Sequence, residues 1–296
     1  MRNLLIPALA LAMLSGCGAS KQETLRFSYS TSSDDPGASK KRIRLLREYL
    51  EKTLQVKVEM VVGTSYASTV EAMRAKRIDA ANLGPMAYLL AAQNANAEAI
   101  AIPGTTSGGP GTYESAIVVR ADSPIKTIDE LLNNAEKYTF SFVDPASTSG
   151  HLIPRQYLEG RGVIPEKRFR KLHFTNDHPT AMYTILGKKV DAGAMMPNVI
   201  RISEAKGKIK AGSLRVLWTS SKIPQSPLAV RKDLPQDLKD RLRAAFLAIA
   251  DADPALANEM QVTTQYPDFR YFAATDANFE ELRKIANSQT TMRLLN

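Results

Sequence analysis

The stretch KRIDAANLGP, residues 76–85, recurs as KKVDAGAMMP, residues 188–197. Each copy follows a helix-like segment and ends in a proline, so the repeat predicts a helix, a turn and a short strand used once in each of two lobes. Leu83–Met86 and Met195–Asn198 would then be strand ends that face each other across a cleft. The alternative is a chance match between two short segments.

Strands alternate with helices on both sides of the first copy. The predicted order is strand Leu25–Tyr29, helix Arg42–Leu54, strand Gln55–Val62, helix Ser68–Lys76, strand Ile78–Leu83, a helix after Pro85, strand Ser115–Arg120, helix Thr127–Ala135, strand Tyr138–Val143 and helix Gly150–Glu159. This alternation predicts an α/β protein with largely parallel sheets. Ligands of such sheets bind beyond the carboxyl ends of the strands.

The offset of 112 residues between the two copies also relates Tyr66 to His178. Each of these residues lies just before the helix that leads into its copy of the repeat. If the repeat is genuine, two polar side chains approach one ligand from opposite sides of the cleft.

The segment DPASTSG, residues 144–150, connects a predicted strand to a predicted helix. Ser147, Thr148, Ser149 and the following glycine present hydroxyl donors and free backbone N–H groups at a helix start, where the helix dipole favours negative charge. The segment therefore predicts a site for a tetrahedral oxyanion. The alternative is that one of the three hydroxyl residues only caps the helix. The phosphate-binding pattern G-x-x-x-x-G-K-[ST] is absent.

The composition excludes several classes of protein. With 44% hydrophobic residues, 23% charged residues and one Cys in 296 residues, the chain is neither a disordered protein nor a disulfide scaffold. The formal net charge of +9 comes from Lys and Arg scattered in twos and threes, without a long basic tract. We therefore do not expect a nucleic-acid partner.

The motifs of common enzymes are absent. The sequence contains no G-x-S-x-G, no H-E-x-x-H and no G-x-G-x-x-G after a strand. His173 lies in a predicted strand, so it is not expected to share a metal with His178, which is interpreted as a donor to an anion or as a solvated loop residue. No catalytic residue, metal or cofactor is predicted.

The N-terminus resembles a bacterial lipoprotein signal. Arg2 gives a positive start, Leu4–Leu14 is apolar, and small residues precede Cys17. This pattern predicts a signal peptide over residues 1–16, lipid attachment at Cys17, a tether over residues 17–24 and a soluble domain held at a membrane outside the cytoplasm. The alternatives are a buried thiol at Cys17 and a transmembrane span, for which the apolar run is short.

With these features in place, the chain resembles the periplasmic solute-binding proteins of phosphonate-type ABC transporters, the PhnD-like family that includes phosphite and hypophosphite receptors. The residues that carry the resemblance are Tyr66-Ala67, Glu71 to Arg74, Lys76 to Ala80, Asp122 to Ile125, Phe142 to Gly150, His178, Lys189 to Asp191, and Ile223 to Pro227. The resemblance implies a type II periplasmic binding protein. Its two α/β lobes, residues 25–112 plus 223–296 and residues 113–222, would be joined by two crossovers and would close on the ligand without breaking a bond.

The resemblance also implies the ligand-binding residues. In the family, the Ser-Thr-Ser loop holds the phosphorus oxygens, two tyrosines donate phenolic hydroxyls, and a histidine completes the shell. The corresponding residues here are Ser147, Thr148, Ser149, Tyr66, Tyr113 and His178. Weaker candidates at the two repeat ends are Met86, Tyr88, Asp191 and Asn198.

Departures from the family pattern narrow the expected ligand. Aminoethylphosphonate receptors carry two acidic residues that pair with the ammonium group, and Asn198 and Ser226 stand at those positions here. An ammonium buried without a carboxylate is costly, so we expect phosphite, hypophosphite or methylphosphonate. Phosphate is disfavoured if apolar atoms face the P–H or P–CH₃ bond. Met195 and Met196 either shrink the pocket or belong to the core.

The expected partners follow from the same resemblance. They are an ABC transporter permease, the membrane through the lipid on Cys17, and no second copy, so that the protein is a monomer. The alternatives are a receptor for another organophosphonate or oxyanion that serves a transporter or a sensor kinase, and a hydrolase of phosphate esters.

Overall fold

The computed structural model describes residues 24–29, 36–63, 65–264 and 266–288. The predicted lipoprotein signal and Cys17 lie outside the described residues. Within those ranges, no helix combines the length and the apolar character that crossing a membrane requires.

Strands and helices alternate along the described chain. The strands are β1 (Thr24–Tyr29), β2 (Lys57–Val61), β3 (Ala80–Asn82), β4 (Ala97–Thr105), β5 (Gly109–Pro110), β6 (Thr112–Tyr113), β7 (Ala116–Arg120), β8 (Thr139–Phe142), β9 (Lys171–Phe174), β10 (Ala192–Met195), β11 (Leu214–Thr219), β12 (Ile223–Pro224), β13 (Leu228–Arg231) and β14 (Phe269–Ala273). The α-helices are α1 (Pro36–Leu54), α2 (Tyr66–Arg74), α3 (Pro85–Asn94), α4 (Ile128–Asn133), α5 (Ile153–Gly160), α6 (Pro165–Arg168), α7 (His178–Leu186), α8 (Asn198–Ala205), α9 (Gln236–Ala252), α10 (Pro254–Thr264) and α11 (Glu280–Ser288). Short 3₁₀ turns cover Ala135–Lys137 and Asp276–Phe279, and a π-helical turn covers Thr148–Leu152.

Two sheets organise these elements. One has the order β14-β4-β13-β3-β1-β2, with β5 paired to β4, and the other has the order β11-β7-β10-β8-β9. The strands β1, β2 and β3 run parallel, as do β8, β9 and β10, whereas β13, β14, β7 and β11 pair antiparallel with their neighbours. The predicted α/β class is confirmed, but the sheets are mixed rather than mostly parallel. The chain forms β7 just after it passes from the seven-stranded sheet to the five-stranded sheet, and it forms β13 just after it returns. Each of these two strands runs opposite to the parallel strands of its sheet.

The two segments in which the chain passes between the sheets lie side by side and form a small two-stranded ribbon. β6 and β12 pair antiparallel, with Ile223 opposite Tyr113 and Pro224 opposite Thr112. The chain therefore crosses twice at one place, once on the way to the five-stranded sheet and once on the way back. The four residues of the ribbon join the two halves of the molecule.

The central strands are buried on both faces because helices cover each sheet. All residues of β8 and of β13 are buried, as expected for strands between two helical layers. Under the seven-stranded sheet, Phe27 of β1 stacks on Phe246 of α9 with ring centroids 5.8 Å apart. Under the five-stranded sheet, Phe140 stacks on Phe169 at 4.7 Å.

The predicted repeat is genuine. Lys76 and Lys188 adopt left-handed backbone conformations, with φ of 56° and 59°, at the turn that follows α2 or α7. The Asp79 carboxylate then accepts the N–H of Arg26 on β1 at 2.9 Å, and the Asp191 carboxylate accepts the N–H of Thr139 on β8 at 2.8 Å. The two copies therefore use one aspartate in the same way, to attach the incoming strand to its parallel neighbour.

Asp79 is more deeply buried than Asp191. A variant without its carboxylate tests whether Asp79 attaches β3 to β1. Its side chain is fully buried and forms ion pairs with Arg26 and Arg231. The variant Asp79→Ala removes the fully buried partner of Arg231 and leaves this largely buried guanidinium only its contact with Asp233 at 3.5 Å. We therefore expect the free energy of unfolding to fall by about 3–5 kcal/mol. Urea titration measures this loss, with Asp191→Ala as the matched control.

The control has a smaller expected loss because the Asp191 side chain is 35% exposed and its ion-pair partner Arg170 lies at 3.5 Å. Equal losses of unfolding free energy in the two variants would contradict the larger structural role assigned to Asp79.

Candidate functional site

A cavity of about 80 Å³ lies between the two sheets, beyond the carboxyl ends of β3, β8 and β10. Drug-sized ligands occupy pockets of about 300–1,000 Å³, so this cavity fits a small ion or molecule. Its position matches the expectation for ligands of α/β sheets. The lining residues are Tyr29, Tyr66, Asn82, Gly84, Pro103, Tyr113, Ser147, Thr148, Ser149, His178, Met196, Asn198, Gln225, Ser226, Met260, Thr264, Phe269 and Tyr271.

The three hydroxyl residues after β8 have different roles. Ser147 is the N-cap, and its Oγ accepts the N–H of Gly150 at 3.1 Å. Thr148 and Ser149 occupy the first two helical positions, whose N–H groups have no acceptor in their own helix. Ser147 therefore caps the helix, and its side chain also lines the cavity with those of Thr148 and Ser149.

The helix after Ser147 begins with one π-helical turn. The Leu152 N–H bonds to the Ser147 carbonyl at 3.0 Å, five residues back. Gly150 is required in this turn because a Cβ there would lie 2.4 Å from a methyl group of Val143. The π turn widens the helix start that faces the cavity, which is a frequent feature of functional sites.

A buried chain of polar contacts braces this loop from behind. His151 donates from Nδ1 to the carbonyl of Pro145 at 2.8 Å, because its Nε2 accepts the Nε–H of Arg155 at 2.9 Å. Arg155 is in turn ion-paired with Glu159 and Glu166. Burial lowers the pKa of His151 to about 4, so the ring stays neutral and keeps both contacts at neutral pH.

Tyr113, in strand β6 of the ribbon, contributes a phenolic side chain to the same cavity as Ser147, Thr148 and Ser149. Burial raises the pKa of Tyr113 to about 12, although the neighbouring hydroxyls of Thr148 and Ser149 act to lower it. The phenol therefore keeps its proton and remains a donor at neutral pH.

His178 is a neutral donor at the first position of α7. Its Nδ1 accepts the N–H of Met196 at 3.1 Å, which leaves the ring proton on Nε2. The side chain is 3% exposed, and burial lowers its pKa to about 4. The N-cap Asp177 accepts the N–H of Thr180 at 2.6 Å and fixes the helix start. The ring can thus donate a hydrogen bond without carrying charge.

Tyr66 faces His178 from the other lobe, at the equivalent first position of α2. Its ring lies against Gly84, where a Cβ would be 3.0 Å from Cε1 of the ring. The ring also packs against buried apolar residues of both sheets. The repeat therefore brings its two related residues to one cavity.

The described cavity lining contains no Lys, Arg, Asp or Glu side chain. Asn198 and Ser226 both line it, at the two positions where amine-binding relatives are expected to carry acids. The Asn198 side-chain oxygen accepts from Arg201. Met196 also lines the cavity, whereas Met195 is fully buried in the core of the five-stranded sheet. Among the described lining residues, an anion in this cavity would meet only neutral side chains and helix N-termini.

Asp191 lies in a position that does not agree with its predicted role as a ligand-binding residue. It precedes β10, at the end remote from the cavity, and its carboxylate accepts the N–H and the hydroxyl of Thr139, both at 2.8 Å. Of the other weak candidates, Tyr88 donates to Asp276 at 2.8 Å inside the core, and Met86 contributes its N–H to the Thr148 hydroxyl at 2.8 Å. None of these three side chains lines the cavity.

Sequence reasoning missed one wall of the cavity. Tyr29, Met260, Phe269 and Tyr271 come from the end of β1, from α10 and from β14. Gln225 follows the second crossover, where its amide donates to the Tyr266 hydroxyl at 3.1 Å. A segment carrying three aromatic residues over 269–272 was the available signal, but nothing in it indicates a cleft rather than a core.

Burial of His178 predicts a loss of stability in acid. The unfolded side chain has a pKa near 6.5 and the folded one about 4, so the unfolded chain binds more protons between these values. The free energy of unfolding should therefore fall as the pH falls through this window, by on the order of 3 kcal/mol from His178.

Urea titrations at about pH 7 and about pH 4.5 measure this effect. His178→Gln should lose less stability between the two pH values than the unsubstituted chain. The same acid loss in both proteins would contradict a buried, neutral His178.

Two curated relatives are similar in sequence. The phosphonates-binding periplasmic protein of Escherichia coli strain K12 is 31% identical over 198 residues, 67% of this chain and 58% of that protein. The phosphate-import protein PhnD of Mycolicibacterium smegmatis is 32% identical over 209 residues, 68% of this chain and 64% of that protein. The chain thus spans less than two thirds of the length of these two relatives.

The fold is shared with a solved structure. A binding protein component of an ABC phosphonate transporter from Pseudomonas aeruginosa superposes with a TM-score of 0.81, at 27% identity, over 93% of this chain and 90% of that chain. This likeness confirms the two-lobed fold of type II periplasmic binding proteins. A family of substrate-binding proteins, described as "ABC transporter, phosphonate, periplasmic substrate-binding protein", matches residues 29–278. Because the match covers most of the sequence, the chain belongs to this family of binding proteins, which are not enzymes.

Proposed function

We propose that this chain is the substrate-binding component of an ABC transporter that captures a small amine-free phosphorus oxyanion, namely phosphite, hypophosphite or methylphosphonate. The lobes close on the anion and deliver it to a membrane permease. The observation that carries this proposal is the small cavity lined by Thr148, Ser149, Tyr113 and His178 and by no charged side chain of the described residues.

The donor set suits an oxyanion. Thr148 and Ser149 present first-turn N–H groups as well as hydroxyls, and the helix dipole adds partial positive charge at this point. Tyr113 and the Nε2–H of His178 supply further neutral donors from other directions. Donors that converge from several elements match the oxygens of a tetrahedral group better than they match a planar carboxylate.

The absence of carboxylates from the described lining disfavours an amine. A buried ammonium needs an anionic partner, and without one its desolvation costs several kcal/mol. Asn198 and Ser226 offer only neutral groups where the family's amine receptors are expected to hold acids. The thioether side chains of Met196 and Met260 line the same cavity and suit a P–H bond or a methyl group.

Phosphate is the informative competitor. Its fourth oxygen would face an apolar wall without a donor, and an unpaired polar atom costs about 1–3 kcal/mol. One relative is nevertheless named a phosphate-import protein. Phosphate therefore belongs in the same titration as the three proposed ligands.

The proposal also includes the location of the protein, which is outside the cytoplasm and attached to a membrane. The N-terminal sequence supports export, cleavage before Cys17 and lipid attachment at that residue, which would hold a monomer at the membrane beside its permease. Another oxyanion or organophosphonate, delivered to a transporter or presented to a sensor kinase, is the alternative if none of the proposed ligands binds.

Calorimetric titration of residues 18–296 tests the ligand class and the loop. We expect saturable one-to-one binding of one amine-free ligand, without turnover. The double variant Thr148→Val and Ser149→Ala should weaken that binding by at least about a hundredfold, because two hydroxyl donors are lost. Thr127→Ala, which removes the hydroxyl that caps α4, is the control and should bind normally. Unchanged binding in the double variant would contradict the role of the loop.

A gain of function tests the selectivity against amines. The double variant Asn198→Asp and Ser226→Asp places two carboxylates in the cavity, so it should bind aminoethylphosphonate and lose affinity for the amine-free ligand. The same titration measures both effects. Tight binding of aminoethylphosphonate by the unsubstituted chain would show that the interpretation of Asn198 and Ser226 is wrong.

A further inference from the structure

Gln225 is a buried amide in the cavity wall, in the second of the two segments that cross between the sheets. It follows strand β12, and its backbone N–H donates to the carbonyl of Gly111 in the first crossing segment at 3.0 Å. The residue is 9% exposed and lines the cavity. Both crossing segments therefore help to place one polar side chain beside the space for the ligand.

The Tyr266 hydroxyl determines which end of this amide is the nitrogen. The hydroxyl donates its only proton to the carbonyl of Thr112 at 2.9 Å, because a carbonyl oxygen has no proton to donate in return. The phenolic oxygen can then only accept from Gln225, so the amide atom 3.1 Å away is Nε2 and not Oε1. Burial raises the pKa of Tyr266, so the phenol keeps this proton at neutral pH.

The other end of the amide gives the same assignment. Oε1 of Gln225 accepts the backbone N–H of Ser226 at 3.3 Å. Nε2 carries two protons, and Tyr266 accepts only one of them. The hydrogen bonds among the described residues provide no acceptor for the second proton. A buried donor at the cavity wall is therefore left for a ligand, while the amide oxygen is already engaged.

Gly111 makes room for the hydroxyl that orients this amide. A Cβ at Gly111 would lie 2.3 Å from the Tyr266 hydroxyl oxygen, so a side chain there would displace it. Tyr266 lies between α10 and β14, the elements that supply Met260 and Phe269 to the same cavity wall. The orientation of Gln225 is thus set by contacts from both crossing segments and from the wall of the cavity.

We propose that Gln225 is a further ligand-binding residue that donates its second Nε2 proton to an oxygen of the bound anion, and that Tyr266 is the residue that positions this donor. The inference rests on the proposed function and deepens it. The donor is neutral, and it approaches from the crossing segments, whereas Thr148 and His178 belong to the lobe with the five-stranded sheet. Because Ser226 engages the amide oxygen, an ammonium group would meet a proton here rather than an acceptor.

NMR spectroscopy distinguishes the two Nε2 protons of Gln225. In ¹⁵N-labelled residues 18–296, the side-chain signals of Gln225 are the pair that is missing from Gln225→Met. In the ligand-free chain, Tyr266→Phe should mainly move the proton that is bonded to the tyrosine. Saturation with whichever of phosphite, hypophosphite and methylphosphonate binds most tightly should move the other proton downfield and slow its exchange by at least about tenfold.

Calorimetric titration with the same ligand measures the contribution to affinity. Gln225→Met keeps an unbranched side chain but removes the donor, so binding should weaken about tenfold, the effect of one lost hydrogen bond. Tyr266→Phe should weaken binding about threefold, because the amide remains but must be ordered when the ligand binds. The effect of Tyr266→Phe should vanish in the Gln225→Met background, which a merely structural role of the tyrosine would not produce.

Two matched variants control for the loss of similar hydrogen bonds elsewhere. Tyr49→Phe removes a hydroxyl that donates to the carbonyl of Ala245 at 2.6 Å in the core. Gln236→Met removes an amide that donates to Asp240 at 2.9 Å on the surface of α9. Neither residue lines the cavity, so both variants should bind the ligand like the unsubstituted chain.

The proposal is overturned if the ligand moves neither Nε2 proton or only the one bonded to Tyr266, or if Gln225→Met binds as tightly as the unsubstituted chain. Equal effects of Tyr266→Phe in both backgrounds would overturn the positioning role. Should Gln225→Met fail to fold, Gln225→Glu supplies the assignment and the proton shifts of the unsubstituted chain decide. If none of the three ligands binds the unsubstituted chain, the proposed function fails and this inference fails with it. Binding without a response of Gln225 overturns the inference alone.

Discussion

Backbone N–H groups at the start of a helix have no acceptor in that helix, and the cleft between the lobes is arranged around this constraint. Ser147 satisfies only the N–H of Gly150, so Thr148 and Ser149 present theirs to the cavity. Burying an unpaired donor costs about 1–3 kcal/mol. In the proposed function, a closed cleft is therefore stable when an acceptor with several oxygens enters it. Anion binding would then favour closure although the described lining contains no cationic side chain.

Neutrality of the other donors has a structural origin as well. His178 carries its proton on Nε2 because the Met196 N–H occupies Nδ1, and burial keeps the ring uncharged. Tyr113 keeps its phenolic proton for a related reason, since burial disfavours the phenolate. Because these groups do not titrate near neutral pH, the proposed recognition depends on the direction of the hydrogen-bond donors rather than on net charge. A pocket of this kind discriminates against a ligand when one of the ligand's oxygens finds no hydrogen-bond donor.

The sequence predicted the parts of the fold that depend on local patterns. The repeat around Asp79 and Asp191 located two equivalent strands, and the segment 144–150 located the helix start that faces the cavity. The predicted role of Asp191 was wrong because a repeat gives no indication of which end of a strand meets the ligand. The mixed sheets and the wall formed by Met260 and Tyr271 also escaped prediction, since both arise from the two crossovers rather than from local periodicity.

Gly84 shows how one local choice extends across the cleft. A Cβ at this position would lie 3.0 Å from the ring of Tyr66, so the ring would have to shift by a few tenths of an ångström. Glycine avoids this tight contact, but it has no side chain with which to cap α3. The Met86 N–H is consequently left for Thr148 of the opposite lobe. Space for the Tyr66 ring beside the cavity and a capping contact between the lobes are thus two consequences of the same glycine. We therefore expect a larger residue at position 84 to disturb the proposed ligand binding and lobe closure together, because both would depend on the loop that contains Thr148.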